Sequence, residues 1–191
     1  MLTKELIKKQ ATAYFNAGEK YDYMNDDLME FLGSEFVAAP ASTKLDTYNA
    51  FEGGLVDHIL RVTRYALKLN DILPEDMQQT KDTIVKVCCL FQIGKAHMFI
   101  PNPSQWHRDK LGQMYEFNND QIAMRVGERS IRYATSFGIE LTDNEYQAII
   151  NYDKLDTDRQ AKYHTETLGM LLKQANDLAI MEEKKILEHV E

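Results

Sequence analysis

The sequence predicts an all-α fold, a helical bundle that forms one domain over residues 1–191. Apolar residues recur at helical spacing in several separate segments, most of which carry a recognisable start or stop signal. One run, residues 83–91, is nearly continuous in apolar residues and could be a strand by composition alone. The chain offers no second strand to pair with it, and a lone strand would leave its backbone groups unpaired. We therefore predict that this run is a buried helix.

The other elements follow from local signals. Thr3 is the predicted N-cap of a first helix that ends near Gly18, and a short helix over residues 26–32 is closed by Gly33. Residues 38–42 and 98–105 contain proline and are predicted to be loops. A charged, exposed linker is expected over residues 153–159. The remaining predicted helices cover residues 54–69, 120–137, 142–152 and 165 to near the C-terminus.

Composition and charge exclude several classes of protein. A formal net charge of −8 opposes non-specific attraction to nucleic acid and to anionic membranes. The first ten residues lack the apolar core of a signal peptide, and no apolar run approaches the roughly 18 residues of a membrane span. The only cysteines, Cys88 and Cys89, are adjacent and would point apart on a helix, so no intramolecular disulfide is expected. We expect a cytoplasmic protein without a membrane or nucleic-acid partner.

Three short blocks of sequence carry a family resemblance. Residues 48–58 read YNAFEGGLVDH, residues 90–95 read LFQIGK, and residues 174–179 read QANDLA. In this order and spacing they resemble the HD-domain superfamily of metal-dependent phosphohydrolases over residues 48–180, with residues 1–35 as an N-terminal helical extension. The resemblance implies a helical bundle that holds one or two metals through a His, a His-Asp doublet and a distant Asp. Residues 106–112 (WHRDKLG) are also similar to small HD-like proteins encoded by bacteriophages.

The same resemblance implies that most of the metal ligands are missing. The positions of the family's metal ligands are occupied by His58, Phe91, Gln92 and Asn176. A phenyl ring offers no lone pair, and the amide oxygens of Gln92 and Asn176 carry no negative charge to offset a divalent cation. Two histidines that precede the Gly-Gly pair in one branch of the family are also absent at positions 48 and 49. We therefore predict no bound metal and no catalytic residue of the inherited kind.

Several candidate residues allow a structural and a functional interpretation. His58 is either a buried histidine bonded to a neighbour or a metal ligand, while Asp57, about 100° away on the helix, is expected to be a surface charge. Lys95 is either a solvated lysine near a helix end or a binder of phosphate in the inherited cavity, together with Arg108 or Lys110.

Two further alternatives concern the loop that follows. Trp106 is either a partly buried packing residue or part of the lining of that ligand cavity. A relocated metal site is also conceivable, built from His107, Asp109 or His164 with acidic residues of the linker, Asp153, Asp156 and Asp158.

Two hypotheses follow from these observations. The first is a catalytically degenerate HD-domain protein that binds either a phosphate-containing, nucleotide-like ligand or a protein partner. The second is an active metal-dependent phosphohydrolase with a non-standard site that uses a divalent metal such as Mn, Fe, Ni or Mg. The metal content of the purified protein would discriminate between them.

Overall fold

A computed structural model describes residues 2–153 and 165–188, and within these ranges the chain is mainly helical, as predicted. The described residues form eight α-helices: α1 Lys4–Lys20, α2 Asp26–Ala38, α3 Gly54–Asp71, α4 Lys81–Leu90, α5 Gln105–Leu111, α6 Val126–Ser136, α7 Asp143–Asn151 and α8 Thr167–Glu188. Short 3₁₀ turns cover Glu75–Met77 and Ile93–Lys95, and two strands, β1 Phe99–Pro101 and β2 Tyr115–Phe117, form an antiparallel pair.

Helix α3 is the central element of the bundle. It packs against α8 and α4, and α1 and α2 cover it from the N-terminal side. Its buried apolar stripe holds four of the five residues that recur at helical spacing in the sequence (Leu55, Ile59, Val62, Ala66 and Leu69), and helix α8 contributes a second stripe to the same core. These two stripes consist of Leu55, Ile59, Val62 and Ala66 on α3 and of Leu168, Leu172, Ala175 and Ala179 on α8. The amphipathic pattern of both helices is therefore explained by one shared core.

The capping signals in the sequence correspond to real helix starts. The Thr3 hydroxyl accepts a hydrogen bond from the backbone N–H of Leu6, as expected of an N-cap. At α7 the Thr142 hydroxyl and the Glu145 carboxylate accept from each other's backbone N–H groups. Both helices begin where these residues predicted.

The apolar run that could have been a strand is helix α4. Its side chains are buried almost throughout, because α3, α7, α1 and α8 all pack against it. Cys88 and Cys89 are free thiols inside this core, which agrees with the expected absence of a disulfide between them. No helix within the described residues is both long and apolar enough to cross a bilayer.

Gly33 does not close the second helix. The helix continues to Ala38 across a kink at which Gly33 has φ 50° and ψ −156°, a conformation that side chains disfavour. Phe36 beyond the kink is fully buried, so the added turn is held by the core. The glycine changes the direction of the chain without ending the helix.

The predicted loop over residues 98–105 is wrong in two respects. Strand β1 lies inside it and pairs with β2 in the register Phe99↔Phe117, Ile100↔Glu116 and Pro101↔Tyr115. Helix α5 then begins at Gln105, with Ser104 as its N-cap. The strand was missed because its partner lies more than a dozen residues further along the chain and leaves no periodic signal of its own.

The helix predicted over residues 120–137 begins only at Val126. Ile122, expected on its apolar side, is 81% exposed. The preceding residues form a turn in which the Asn118 side chain accepts from the backbone of Asp120, and the Arg129 guanidinium donates to the carbonyl of Ile122. These side-chain bonds satisfy the backbone locally and replace the first turns of the helix.

A close approach of two backbones positions the turn that carries Lys95. A Cβ added at Gly94 would lie 2.6 Å from the carbonyl oxygen of Val126 and 2.8 Å from the backbone N of Ser130. The Ser130 hydroxyl accepts from the N–H of Gly94 and donates to the carbonyl of Phe91. The 3₁₀ turn can therefore pack on α6 only because residue 94 lacks a side chain.

Replacing Gly94→Ala should lower the free energy of unfolding by about 1–3 kcal/mol, because a rigid backbone must move to admit the methyl group. The matched control is Gly169→Ala in the first turn of α8, where the nearest atom is the Thr165 methyl at 3.3 Å, a side-chain group that can shift by a few tenths of an ångström, and where a helical position favours alanine. Urea denaturation of both variants checks the prediction. Equal stability of the two would contradict the role given to Gly94.

Candidate functional site

The four positions of the predicted remnant site lie in the core. His58 is on α3, Phe91 and Gln92 follow the last turn of α4, and Asn176 is on α8. All four are buried. His58 Nε2 lies 3.1 Å from Asn176 Oδ1, and the rings of His58 and Phe91 have centroids 6.2 Å apart. The structure thus brings together residues from three helices that are up to 118 positions apart in sequence.

Gln92 joins this cluster through Lys95 and Tyr48. The Lys95 ammonium donates to Gln92 Oε1 at 3.1 Å, to the Tyr48 hydroxyl at 3.1 Å and to the carbonyl of Ala41 at 2.6 Å. The Tyr48 ring in turn packs on His58 with centroids 4.9 Å apart. Lys95 is only 5% exposed, so the expectation of a solvated lysine is wrong. The backbone carbonyl of Ala41, which is distant in sequence, accepts a hydrogen bond from the ammonium and so keeps Lys95 buried.

Glu183 is a member of the cluster that sequence reasoning missed. Its carboxylate oxygens lie 3.0 and 3.1 Å from His58 Nδ1, and both side chains are fully buried. A carboxylate only accepts, so the proton of the imidazole lies on Nδ1 and faces Glu183. Its position in the sequence was a signal that could have indicated this. Glu183 follows Asn176 by seven residues and therefore lies two turns further along the same face of α8.

The protonation of Nε2 determines what Asn176 does. A neutral ring with its proton on Nδ1 presents a lone pair at Nε2 and takes the amide N–H₂ group there, whereas an imidazolium donates from Nε2 to Asn176 Oδ1. The two ends of an amide have nearly the same size, so a half-turn of the side chain places Nδ2 at the point facing the ring. Asp177, the neighbouring carboxylate, is exposed and faces away from the cluster.

An outer layer of charges surrounds Glu183. Arg61 lies 3.3 Å from Glu183 through Nε, 2.8 Å from Glu182 and 3.2 Å from Asp57. Burial opposes the charge of Arg61, but Glu182 and Asp57 outweigh it and raise the pKa of the guanidinium. Asp57 also accepts hydrogen bonds from Gln10 and Asn49, so the expectation of a plain surface charge is wrong. It ties α1 and the preceding loop to α3.

The other side of the cluster is aromatic. Phe91 is fully buried, and its ring meets that of Tyr152 edge-on with centroids 4.9 Å apart. Burial raises the pKa of the Tyr152 hydroxyl, Asp153 and Tyr48 add to this shift, and a hydrogen bond with Gln92 opposes it. Tyr152 is therefore a neutral packing and hydrogen-bonding residue at physiological pH.

The other predicted ligand residues lie on the short helix α5, in which no residue is buried. The Arg108 guanidinium donates to the carbonyl of Asn102, and Lys110 is exposed. Trp106 is 59% exposed, so the interpretation as a partly buried packing residue is wrong. None of these three shares a hydrogen bond with Lys95. Their role in ligand binding stays a prediction.

The residues present do not fit a divalent metal of the family's kind. Within residues 2–153 and 165–188, no group of three or more His, Cys, Asp or Glu side chains comes together to hold a metal ion. At the four positions predicted from the resemblance, the donors are one imidazole and two neutral amides, without a carboxylate to offset a dication. A relocated metal site was the alternative. Two of its candidate ligands, Asp109 and Asp153, are exposed. Three others lie outside the described residues: His164, Asp156 and Asp158.

Comparison with known proteins gives a partial match. The chain is 32% identical over 106 residues to dihydroneopterin 2′,3′-cyclic phosphate phosphodiesterase from Methanocaldococcus jannaschii. The match takes in 54% of this chain and 39% of the relative, so well under half of the relative is represented. No protein-family model matches, and no solved structure matches with significant similarity. Distant similarity to a phosphodiesterase supports, at a coarse level, the resemblance to phosphohydrolases.

Replacing Glu183→Gln should lower the free energy of unfolding by about 2 kcal/mol, because His58 loses a charged buried acceptor and Arg61 loses an ion-pair partner. It should also release the imidazole from a single tautomer, which ¹⁵N chemical shifts of His58 would report. The control is Glu182→Gln, whose side chain is 32% exposed and should cost less than about 1 kcal/mol. A His58 ring protonated at Nε2 alone in the unaltered protein would contradict this assignment.

Proposed function

We propose that this protein is an HD-like relative of metal-dependent phosphohydrolases that binds a phosphate-containing, nucleotide-like ligand without hydrolysing it. The observation that carries the proposal is the environment of Lys95. Its buried ammonium is bonded to three oxygens, from Ala41, Tyr48 and Gln92, and all three are neutral. In the part of the chain that the structure describes, no carboxylate lies within ion-pair distance of it.

A buried cation without a counter-charge is energetically costly, and neutral hydrogen bonds recover only part of that cost. The half-buried Lys86 pairs with Glu145 at 3.0 Å, whereas the buried Arg129, like Lys95, donates to neutral oxygens, those of Gln121 and Ile122. A phosphate oxygen next to Lys95 would provide both a negative charge and a strong acceptor. The environment of Lys95 is thus better suited to a bound anion than to an empty site.

The three donors of the ammonium are all in use, so a ligand must replace one partner. Ala41 and Gln92 are almost completely buried, whereas Tyr48 is half-buried and is the partner nearest to solvent. Displacement of the Tyr48 hydroxyl by a phosphate oxygen would exchange a neutral acceptor for a charged one. Arg108, Lys110 and Trp106 are proposed to contribute further out, if α5 contacts the remainder of the ligand.

Binding without hydrolysis follows from the inherited positions. Hydrolysis of this type uses a metal that acidifies a bound water molecule and neutralises phosphate charge. Phe91 fills one ligand position with a hydrocarbon, and the amides of Gln92 and Asn176 provide no negative charge. The partial match suggests the first ligand class to test, because the relative's name specifies a cyclic phosphate diester.

A second candidate is an active metal-dependent phosphohydrolase with a non-standard site. One distance is compatible with it: His58 Nε2 and Asn176 Oδ1 lie 3.1 Å apart, a separation given both by a hydrogen bond and by two adjacent ligands that each bind one metal at about 2.1 Å. In that case Asn176 keeps its oxygen toward the ring, and a metal such as Mn, Fe, Ni or Mg would copurify. A protein partner is the other form of the binding hypothesis and does not require Lys95.

The proposal is tested by ligand-induced thermal shifts and calorimetry with inorganic phosphate, nucleoside 5′-monophosphates and 2′,3′-cyclic nucleotides. The unaltered protein should be stabilised by at least one of them, and Lys95→Met should abolish the effect without lowering the stability of the free protein, since it removes a buried charge. Lys68→Met, at an exposed position of α3, is the control. Tyr48→Phe should bind more tightly because it frees one donor of the ammonium.

Binding that survives Lys95→Met would reject the phosphate site. Binding that requires added metal, is accompanied by turnover and is lost in His58→Ala would favour the second candidate. If none of the anions stabilises the protein, the binding of a protein partner would explain its function better than the binding of phosphate.

Restoring the family's ligands tests whether the positions are correctly mapped. The triple variant Phe91→His, Gln92→Asp and Asn176→Asp should lose about 1–3 kcal/mol of stability without metal, since Phe91 fills apolar space. Mn²⁺ or Ni²⁺ should then raise its melting temperature more than that of the unaltered protein, which should show no metal-dependent phosphoester hydrolysis. A variant that gains no more from metal than its parent would show that the mapping is incorrect.

A further inference from the structure

A groove of about 490 Å³ runs along helix α1, and neither the inherited site nor Lys95 takes part in it. Its apolar residues are buried or half-buried, and its polar residues are exposed. The apolar group consists of Ile7, Ala11, Phe15 and Val37, and the polar group of Lys4, Lys8, Thr12, Asn16 and Glu52. The lining is therefore an apolar floor with a polar rim.

The shape of the groove matches a helix. Its α1 residues recur every three or four positions from Lys4 to Asn16 and so lie on one face of the helix. At a rise of 1.5 Å per residue, this stretch is about 18 Å long, or a little over three turns. An elongated apolar groove of this length fits a partner helix that inserts side chains at i, i+3 or i+4, and i+7.

The charge of the groove's rim favours an acidic partner helix over a basic one. Lys4 and Lys8 are one turn apart and exposed, and neither forms an ion pair within the described residues. They also lie in the N-terminal half of α1, where the helix dipole adds positive potential. Glu52 is the one acidic residue of the lining. This positive rim contrasts with a chain whose net charge is −8.

We propose that the groove docks an acidic amphipathic helix of a partner protein. The apolar face of that helix would cover Ile7, Ala11, Phe15 and Val37, and its carboxylates would lie against Lys4 and Lys8. This binding surface is separate from the proposed phosphate site, since the two share no residue. The protein would thus bind a macromolecular partner through its N-terminal helix independently of any ligand in the core.

The probe is a fluorescein-labelled synthetic peptide of about 14 residues, or about 21 Å of helix, with Leu at helical spacing and Glu on the flanks. Fluorescence anisotropy should show binding that weakens as salt is raised. A peptide of the same composition in scrambled order should bind at least about tenfold more weakly, because its apolar residues no longer lie on one face.

The variant Lys4→Glu/Lys8→Glu should lose about tenfold in affinity for the acidic peptide and prefer an analogue with Lys in place of Glu. Both changes place an acidic residue in the N-terminal half of α1. A negative charge there is compatible with the helix dipole, so the variant should still fold. The matched control is Lys68→Glu/Lys81→Glu, with the same change in charge at exposed positions outside the groove. Its affinity should stay within about twofold of the unaltered protein.

Equal binding of the periodic and scrambled peptides, or unchanged affinity of the Lys4/Lys8 variant, would overturn the proposal. Sedimentation velocity tests whether a second copy of this chain occupies the groove. A dimer of the unaltered protein that is lost in the Lys4/Lys8 variant would make a second copy of this chain the occupant, and the partner helix would be rejected.

Discussion

The packing of α3 against α8 around a buried histidine and a buried carboxylate is the constraint on which the rest of the structure depends. His58 and Glu183 are fully removed from water, so each must be the hydrogen-bond partner of the other. Their contact fixes the register of the two helices, because a shift by one residue would leave a polar group unpaired in the core. The apolar stripes on both helices then close around this pair.

The charges around this pair are arranged in layers. Arg61 stands between Glu183 inside and Glu182 and Asp57 nearer the surface, and Arg64 extends the series to a half-exposed position. Burial works against the charge of Glu182, but its bonds to Arg61 lower the pKa of the carboxyl. Negative and positive groups therefore alternate from the core to solvent along the α3–α8 interface. Lys95 has no such series: within the described residues it is held by neutral oxygens alone, as is the buried guanidinium of Arg129.

The chemistry of the cluster reflects the difference between a metal and a side-chain cation. A divalent metal needs anionic oxygen ligands, whereas an ammonium can be held by neutral carbonyl, hydroxyl and amide oxygens. Gln92 suits the second kind of cation and not the first. In the proposed function, the positive charge that a phosphohydrolase obtains from its metals would come from Lys95. In that proposal the site attracts a phosphate group without a metal that would acidify a water molecule.

What the sequence by itself determined was local. The helices of the core were predictable because periodicity and caps act within a few residues, as at Thr3 and Thr142. That the blocks around His58, Gln92 and Asn176 share one site was expected only from their resemblance to the HD-domain superfamily. Gly33 shows the limit of such signals, since a conformation that ends one helix also permits a kink in a longer one.

Only the tertiary structure decided which polar groups are buried and with what partners. The strand pair β1–β2 needs two segments that are not adjacent, and neither has a periodic signal of its own. Lys95 is buried because a carbonyl 54 positions away and a hydroxyl 47 positions away meet its ammonium. Glu183 is buried because α3 places a histidine against it, 125 positions earlier in the chain. Burial is a property of the assembled core, and no local pattern records it.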